Sequence, residues 1–210
     1  MEIKEVYNNI SSDFDKTRYS VWGGVRRFLD SLTPNSFNGH IGCGNGKNML
    51  YRKDITFEGV DISSEFVKIC RKKGLCVKED NILELSIPKD YFENTLCIAV
   101  IHHLKTMQER QKAISELLRI TKQNGKILLF VWAFEQPEDS KRKFLTTDEI
   151  VPFKTVDGKV FERFYHMYVK DELESEIMSI KNSYPYNFTF IDSFWEHGNW
   201  AVILEKKEYV

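Results

Sequence analysis

The stretch Gly39-His40-Ile41-Gly42-Cys43-Gly44-Asn45-Gly46 ends in three glycines at every second position, Gly42, Gly44 and Gly46. A short buried strand is predicted before them, over residues 36–41, and a helix is predicted to begin after them at Lys47. Glycine has no Cβ and tolerates positive φ, so such a backbone can lie against a ligand and direct N–H groups at it. The stretch therefore predicts a strand, a ligand-binding turn and a helix.

The spacing of these glycines indicates which ligand the turn binds. Dinucleotide-binding turns have the pattern G-x-G-x-x-G, whereas Gly42, Gly44 and Gly46 follow G-x-G-x-G. The shorter pattern is typical of loops that bind S-adenosylmethionine. A tight glycine-rich turn without a ligand is the alternative interpretation.

The composition is that of an ordinary globular protein. The chain has 210 residues, of which 42% are hydrophobic and 29% are charged, enough for one sizeable core. Its 30 Lys and Arg residues nearly balance its 31 Asp and Glu residues, giving a net charge of -1. This balance argues against strong nonspecific binding of nucleic acid by the chain alone, although a local basic face is not excluded.

Several features bear on compartment and metal content. The polar start, Met1-Glu2-Ile3-Lys4-Glu5, predicts no signal peptide, and the longest apolar run, residues 127–134, is too short to span a bilayer. The four cysteines form no C-x-x-C pair, so they predict free thiols rather than a zinc or redox site. We expect a cytoplasmic protein with no membrane partner and no bound metal ion.

Strands alternate with helices after residue 35, which predicts a mostly parallel sheet covered on both faces. Strands are predicted at residues 36–41, 56–60, 75–78, 95–100, 126–132, 188–192 and 200–205, helices at 65–73, 107–122 and 170–182, and a polar loop at 136–143 with the basic tip Lys141-Arg142-Lys143. Five parallel strands followed by a hairpin-like pair fit an α/β, Rossmann-like class I methyltransferase with a seven-stranded sheet better than a nicotinamide dehydrogenase.

Residues 1–210 are predicted to form a single methyltransferase domain with three parts. Residues 1–33 form an N-terminal helical cap, which the cluster Ser11-Ser12-Asp13 is expected to divide into two helices. Residues 34–135 form the cofactor-binding core. Residues 136–210 form a substrate-side segment and the C-terminal strands.

Two carboxylates follow neighbouring strands. Asp61 ends the second strand, nineteen positions after the first glycine of the motif, where a carboxylate reaches a ribose diol in an open α/β sheet. A helix N-cap is the alternative for Asp61, but Ser63 or Ser64 can supply the cap. Asp80 follows the third strand and can accept from an adenine amino group while Ile82 covers the ring. A solvated turn is the alternative for Asp80.

Two adjacent histidines, His102 and His103, follow the fourth strand. Successive residues in an extended chain point in opposite directions, so the two rings would not easily bind one metal ion. We predict that one imidazole lines the pocket, with helix capping or packing as the alternative. The full set of predicted cofactor-binding residues is Gly42, Cys43, Gly44, Gly46, Asp61, Ile62, Asp80, Asn81, Ile82 and Ala99.

Arginines stand among aromatic residues in two places, Thr17-Arg18-Tyr19-Ser20-Val21-Trp22 and Arg163-Phe164-Tyr165-His166-Met167-Tyr168. A guanidinium among rings suits a planar anionic or stacked ligand. The alternation in the second cluster predicts a strand with Arg163, Tyr165 and Met167 on one face. Core packing is the alternative interpretation.

With these motifs the chain resembles the eukaryotic family that methylates the carboxymethyl group on the wobble uridine of tRNA anticodons. The segments that carry the resemblance are residues 15–19, Trp22, residues 42–47, 99–104 and 131–136, Val151-Pro152, residues 163–168 and residues 199–202. The His-His, Trp-Ala-x-Glu-Gln and Arg-x-Tyr-His segments are more specific than the glycine loop. One departure is His40, where relatives have an Asp that helps organise the glycine loop.

The resemblance implies an enzyme that uses S-adenosylmethionine to esterify 5-carboxymethyluridine. A carboxymethyl acid, with a pKa of about 3.3–3.9, is already ionised at neutral pH, so it must be aligned rather than deprotonated. Arg18 and Arg163 are the predicted carboxylate ligands, with Tyr165 and His102 shaping the uridine pocket. The competing hypothesis makes His102 a general base.

The resemblance also implies partners. Family members work with a small zinc-binding activator protein, and residues 75–78 are the predicted edge strand for a heterodimer formed by β-augmentation. The tRNA anticodon loop is the predicted substrate partner. Two other functions fit the cofactor motif: a small-molecule methyltransferase, and a noncatalytic binding module in which His40 reflects lost cofactor binding.

Overall fold

The computed structural model describes residues 2–181 and 183–208. The helices are α1 (Ile3–Thr17), α2 (Gly23–Asp30), α3 (Ser64–Lys72), α4 (Met107–Ile120) and α5 (Glu172–Ile180). The strands are β1 (Phe37–Ile41), β2 (Thr56–Asp61), β3 (Val77–Glu79), β4 (Asn94–Ile98), β5 (Lys126–Trp132), β6 (Asp148–Lys154), β7 (Val160–His166), β8 (Asn187–Trp195) and β9 (Asn199–Lys207).

Seven strands form the main sheet, in the order β3-β2-β1-β4-β5-β9-β8. The first five are parallel, and β9 pairs antiparallel with both β5 and β8. This confirms the predicted Rossmann-like class I methyltransferase fold. The predicted edge strand does lie at the edge, but it is β3, shifted two residues from the start expected at 75.

Two apolar cores lie on opposite faces of this sheet. One contains buried residues of α4 and α5, such as Leu117 and Ile177, and the other contains buried residues of α2 and α3, such as Phe28 and Val67. Burying each such side chain stabilises the fold by about 1.5–3 kcal/mol. In the described part of the chain, no helix is long and apolar enough to cross a membrane.

The expectation that Ser11-Ser12-Asp13 divides the N-terminal cap is wrong, because α1 runs through this cluster unbroken. The Ser11 hydroxyl donates to the Asn8 carbonyl, and the Asp13 carboxylate accepts from the Val156 amide of the β6–β7 hairpin. These contacts satisfy polar groups that would otherwise compete with the helix. The break between α1 and α2 falls instead at residues 18–22.

A second, two-stranded sheet consists of β6 and β7, paired antiparallel. The sequence predicted β7 but not β6, because Pro152 lies in the middle of β6. A proline lacks an N–H donor, but an edge strand tolerates it, and both strands of an isolated hairpin are edges. Arg163 and Tyr165 share a face of β7, as the alternation predicted, since Arg163 Nη1 donates to the Tyr165 hydroxyl at 2.8 Å.

Candidate active site

A cavity of about 720 Å³ opens at the carboxyl ends of the parallel strands, between the main sheet, α1 and the β6–β7 hairpin. Its size is typical of small-molecule sites. The predicted residues that line it are Arg18, Gly42, Cys43, Gly44, Asp61, Ile62, Asp80, Asn81, Ile82, Ala99, His102, Arg163 and Tyr165. The predicted cofactor-binding and substrate-binding groups therefore face one common space.

The glycine loop lies against β2. The Gly42 and Cys43 amides both donate to the Val60 carbonyl, at 2.7 and 2.9 Å. Gly42 has φ +71°, and a Cβ there would come within 2.2 Å of Val100. Gly44 has φ +54°, and a Cβ there would meet no atom of the described chain within 4 Å. Gly42 is therefore required by packing, whereas Gly44 leaves room on the cavity side of the backbone.

Gly46 is the one predicted cofactor-binding residue that does not line the cavity. It has φ +76° and precedes the short 3₁₀ turn Lys47–Leu50. A Cβ at this position would come within 2.3 Å of Leu75 and 3.0 Å of the Cys70 sulfur. The third glycine of the motif is thus explained by packing behind the loop rather than by contact with a ligand.

Asp61 holds the loop from the end of β2. One carboxylate oxygen accepts from the Gly44 amide at 2.7 Å, and the other accepts from the Ser63 amide at 2.9 Å. Burial raises the pKa of Asp61 to about 6, although these two hydrogen bonds lower it. The Ser63 hydroxyl caps α3 by accepting from the Phe66 amide, as predicted. Each Asp61 oxygen keeps a second lone pair for a ligand hydroxyl.

Asp80 serves the turn after β3. Its carboxylate accepts from the Ser86 amide and hydroxyl, at 2.8 and 2.7 Å, and from the Asn81 amide at 2.8 Å. These bonds favour the turn role that the sequence left as the alternative. Asp80 and Ile82 nevertheless line the cavity, so the adenine contact stays a prediction.

His40 lies at the end of β1, is 1% exposed and lines the cavity. Neither ring nitrogen has a hydrogen-bond partner among the described residues. Burial, and after it the charge of the nearby Lys47, lower the pKa of His40 to about 3. The ring is therefore neutral near pH 7, and the carboxylate that holds the glycine loop is Asp61.

The two histidines after β4 do not follow the extended geometry assumed from the sequence. Ala99 has φ +60° and turns the chain out of the strand, and Ile101–His103 forms a 3₁₀ turn. The ring centroids of His102 and His103 are consequently only 4.5 Å apart. Among the described residues there is no group of three or more His, Cys, Asp or Glu side chains that could hold a metal ion.

His103 is fixed by hydrogen bonds on both nitrogens. Its Nδ1 donates to the Phe164 carbonyl at 2.9 Å, so its Nε2 accepts from the Tyr7 hydroxyl at 2.7 Å. Burial lowers the pKa of His103 to about 3. This neutral ring joins α1 to β7 across the cavity.

His102 has one nitrogen occupied and one free. The Trp132 amide donates to Nδ1 at 3.1 Å, so the neutral ring carries its proton on Nε2, which has no partner in the described chain. Burial lowers the pKa of His102 well below 6.5, as do the charges of His103 and Arg163. The ring stacks on Tyr165 with centroids 4.8 Å apart. His102 therefore offers a hydrogen-bond donor, not a base.

Arg163 is a buried cation without a counter-ion. It is 6% exposed, and no carboxylate of the described chain lies within ion-pair distance. Its Nη1 donates to the Tyr165 hydroxyl, while its Nε has no partner. A buried charge left unpaired is costly, so this arrangement favours an anionic ligand. Arg18, in contrast, is half-buried at the end of α1 and donates to the Thr17 hydroxyl at 3.1 Å.

The lining residues that sequence reasoning did not assign to the site include Tyr7, Trp132 and Arg142. Trp132 ends β5, so the rule that ligands bind at the carboxyl ends of parallel strands was the signal available. Tyr7 lies on α1, whose approach to the cavity no local pattern reveals. Arg142 lies in the polar loop between β5 and β6.

Comparison with known proteins agrees with this geometry. A family model described as "Methyltransferase domain" matches residues 40–129. The tRNA (carboxymethyluridine(34)-5-O)-methyltransferase of Schizosaccharomyces pombe is 32% identical over 225 residues, which cover 97% of this chain and 96% of that protein. This chain belongs to the tRNA (carboxymethyluridine(34)-5-O)-methyltransferase family.

Members of this family differ in length. The tRNA (carboxymethyluridine(34)-5-O)-methyltransferase alkbh8 of Xenopus tropicalis is 29% identical over 97% of this chain, but the chain spans only 40% of that protein. Solved methyltransferases share the fold at lower identity. An S-adenosylmethionine-dependent methyltransferase from Clostridium acetobutylicum has a TM-score of 0.68 at 14% identity, covering 96% of this chain and 99% of its own.

One solved structure with the fold of this tRNA methyltransferase family comes from an assembly. A complex between the Haloferax volcanii Trm112 methyltransferase activator and a methyltransferase contains a chain with a TM-score of 0.67 and 13% identity. The match covers 96% of this chain and 98% of that chain. At this identity the similarity establishes the fold alone.

Proposed function

We propose that this protein transfers a methyl group from S-adenosylmethionine to the carboxylate of 5-carboxymethyluridine at the wobble position of tRNA, giving the methyl ester. Family membership supports the reaction, and the names of relatives at 29–32% identity supply its substrate. The observation that carries the proposal is Arg163, a buried and unpaired guanidinium in the same cavity as the glycine loop.

The residues at the carboxyl ends of β1 and β2 fit the proposed cofactor. Gly44 leaves space where the backbone would face the ligand, and Asp61 has free lone pairs for ribose hydroxyls. His40 is neutral and so adds no positive charge beside a cationic cofactor. S-adenosylmethionine supplies an electrophilic methyl group at its sulfonium when bound.

The substrate side of the cavity suits a carboxylate on a planar base. Arg163 offers its Nε and unused Nη protons, a fork that binds a carboxylate through two parallel hydrogen bonds. The Tyr165 hydroxyl shares this end of the cavity, and the His102 Nε2–H faces it as a neutral donor. Because the substrate carboxylate is already ionised at neutral pH, these donors only need to align it.

A general base is unnecessary in this scheme, and His102 is poorly suited to be one. Its Nδ1 is occupied by the Trp132 amide, and its Nε2 carries the proton of the neutral ring. A donor of this kind instead orients an oxygen of the uridine. The proposal therefore assigns His102 to substrate positioning, together with Tyr165.

Two partners complete the proposal. A small zinc-binding activator docks on the open edge of β3, an interpretation supported in outline by the Haloferax volcanii complex that contains a chain of the same fold. The tRNA anticodon loop presents the wobble nucleotide to the cavity. Free cysteines are consistent with a reducing cytoplasm as the site of the reaction.

Deletion of the gene tests this proposal in the cell. Mass spectrometry of anticodon nucleosides should show the carboxymethyl acid accumulating in place of its methyl ester. A plasmid with the wild-type gene should restore the ester, whereas Arg163→Gln should not, although the variant protein accumulates to the same level. Unchanged nucleosides in the deletion strain would refute the proposal in favour of a small-molecule substrate or a noncatalytic role.

A further inference from the structure

Arg142 lies at the cavity with its charge uncompensated. Its guanidinium carbon lies 4.4 Å from the centroid of the Trp132 ring, the shortest cation–π contact in the described structure. The guanidinium forms no hydrogen bond and no ion pair with any residue in the ranges 2–181 and 183–208. All five of its N–H donors are therefore free for a ligand.

The surroundings of Arg142 favour an anion. Arg18 and Arg163 line the same cavity, and no carboxylate of the described chain pairs with either guanidinium. Partial burial lowers the pKa of Arg142, and the charges of Arg18 and Arg163 lower it further. Three cations that face one space repel each other until a negative group enters it.

Arg142 lies nearer the protein surface than Arg163 does. Arg163 is buried on β7, whereas Arg142 is exposed and belongs to the polar loop between β5 and β6, which contains no helix or strand. A carboxylate carried on the base reaches the deeper arginine. The phosphodiester groups of the same nucleotide remain outside the base pocket, at the level of the exposed arginine.

Trp132 lies between the exposed Arg142 and the buried residues around Arg163. Its ring packs on Tyr165 with centroids 4.4 Å apart, and Tyr165 stacks in turn on His102. Arg142 covers the Trp132 ring from the loop side. A flat ring is a stacking platform for a nucleic-acid base, and Arg142 belongs to a loop outside the helices and strands, with no other bond in the described chain that holds its guanidinium over the ring.

We propose that Arg142 binds a phosphate next to the wobble nucleotide, leaving the Trp132 ring that it covers in the free protein. This inference rests on the proposed function, since it takes an anticodon RNA as the ligand. It assigns Arg142 to RNA positioning and Arg163 to the substrate carboxylate. The expected signature is a loss of RNA affinity that does not depend on the carboxymethyl group.

The test measures binding of anticodon stem-loop RNA to Arg142→Gln in the presence of the activator. Two RNAs carry either uridine or 5-carboxymethyluridine at the wobble position, and further RNAs replace each flanking phosphate by a neutral methylphosphonate. We expect Arg142→Gln to weaken both natural RNAs about tenfold and to reduce the salt slope of binding by about one. One of the methylphosphonate RNAs should bind the variant and the wild type equally.

Matched controls lie on the same loop. Lys141 and Lys143 flank Arg142, are exposed and do not line the cavity. Lys143→Gln removes the same charge and should weaken binding less than twofold. Equal losses for Arg142→Gln and Lys143→Gln, or a loss confined to the carboxymethyl RNA, would overturn the inference. Failure of wild-type protein to bind any anticodon RNA would refute the proposed function itself.

Discussion

Asp61 connects the glycine loop to the cavity, because its carboxylate accepts from the Gly44 amide and the residue lines the cavity. His40, at the end of β1, is buried and neutral, and neither of its ring nitrogens has a hydrogen-bond partner among the described residues. The Gly44 backbone amide of the loop bonds the Asp61 carboxylate, and the Asn45 side chain bonds the Asp15 carboxylate of α1. Because Asp61 bonds the loop backbone at the cavity, cofactor binding should depend on the ionisation of Asp61.

The pH dependence of cofactor affinity tests this dependence. Burial raises the pKa of Asp61 to about 6, so the carboxylate is ionised above that pH and protonated below it. Only the ionised form accepts charge-assisted hydrogen bonds from ribose hydroxyls. Calorimetric affinity for S-adenosylmethionine should therefore fall as the pH drops through about 6.

Asp61→Asn is the matched variant for that measurement. It should bind S-adenosylmethionine more weakly by about 1.5–3 kcal/mol at pH 7.5, with no inflection near pH 6. An affinity that is independent of pH between 5 and 8 in the wild type would contradict the assigned role of Asp61.

In the proposed function, alignment of the substrate carboxylate depends on Arg163. Arg163→Gln should lower turnover at least about tenfold, given about 1.5–3 kcal/mol for a lost charged hydrogen bond, while the affinity for S-adenosylmethionine changes less than twofold. Arg163→Lys should recover little, because an ammonium cannot bind a carboxylate through a planar fork. Arg26→Gln is the control, since this exposed arginine of α2 does not line the cavity. Full activity of Arg163→Gln would contradict the role of Arg163 as the ligand of the substrate carboxylate.

The pH dependence of the rate in wild type and in His102→Gln distinguishes substrate alignment from general-base catalysis. Its pKa lies well below 6.5, because of burial first and neighbouring cations second, so it does not titrate near neutrality. The single-turnover rate at saturating S-adenosylmethionine should be flat between pH 6.5 and 8.5 in the wild type and in His102→Gln. A tenfold rise per pH unit that disappears in His102→Gln would make this histidine the general base.

Residues at strand ends were predictable from the sequence, because the carboxyl ends of parallel strands converge on one edge. This rule identified Asp61, and spacing identified Gly42 and Gly44. It failed for the geometry of His102 and His103, because the positive φ of Ala99 starts a turn that no pattern announces. It also gave no reason to place Arg142 beside Trp132, since loop conformations depend on tertiary contacts.

At the scale of elements, the β6–β7 hairpin forms one wall of the cavity and is attached to α5 through His166. The His166 Nδ1 bonds the Asp148 carboxylate at 2.7 Å, and its Nε2 bonds the Glu172 carboxylate at 2.8 Å. Burial and the nearby Arg110 oppose protonation, but hydrogen bonds to the two carboxylates raise the pKa of His166 above 6.5. The protonated ring can donate to both carboxylates at once.

The attachment should therefore weaken with rising pH. A raised histidine pKa gives stability that is fully present below 6.5 and is lost as the pH rises through the folded-state value. Hydrogen exchange of β6 amides, corrected for the intrinsic rate, should be slower at pH 6 than at pH 9. Amides of β8 and β9 provide the internal control.

His166→Gln is the variant for the same experiment. Glutamine keeps a polar side chain but does not titrate, so the pH effect on β6 should disappear. A wild-type hairpin that exchanges equally at both pH values would contradict the proposed attachment.

Most elements of the main sheet were predictable because β-branched and aliphatic runs alternate with amphipathic helices. The exceptions have physical reasons. Ser and Asp in the middle of α1 suggested a break, but their side chains are bonded to the helix itself and to the hairpin. β6 was not predicted because it contains Pro152, and proline is found in edge strands but rarely in central ones.

At the scale of the whole molecule, β3 leaves an unpaired edge beside the cofactor half of the sheet. The Asp80 amide donates to the Asp61 carbonyl, so by alternation the Glu79 amide points away from the sheet. The outward Val77 carbonyl accepts from the Arg71 side chain, so the Glu79 amide is the outward donor of β3 that an added strand could use. The proposed activator would use it, and the isolated protein should be less soluble than the heterodimer.

Glu79→Pro tests that edge, because it removes one outward N–H donor without touching the bonds to β2. We expect co-purification with the activator to be lost, with an unchanged circular dichroism spectrum. Glu79→Ala is the control, since it removes only the exposed ion pair with Lys4, which contributes little. Normal complex formation by Glu79→Pro would show that the partner docks elsewhere.

The order of the seven strands follows from right-handed crossovers and could be anticipated, whereas the position of the hairpin over the cavity could not. The hairpin contacts α1, the turn after β4, Trp132 at the end of β5, and α5, and these contacts have no sequence pattern. The proposed function depends on this placement, because the hairpin carries Arg163 and Tyr165 into the cavity that the glycine loop also lines.

Methylation of a defined RNA by the purified protein is the most direct test of that central claim. The protein and its activator are mixed with S-adenosylmethionine and an anticodon stem-loop that carries 5-carboxymethyluridine, and the RNA is analysed by mass spectrometry. The proposed function predicts the gain of one methyl group as an alkali-labile ester on this RNA and none on the same RNA with uridine. Methylation of both RNAs alike, or of neither in the presence of the activator, would contradict it.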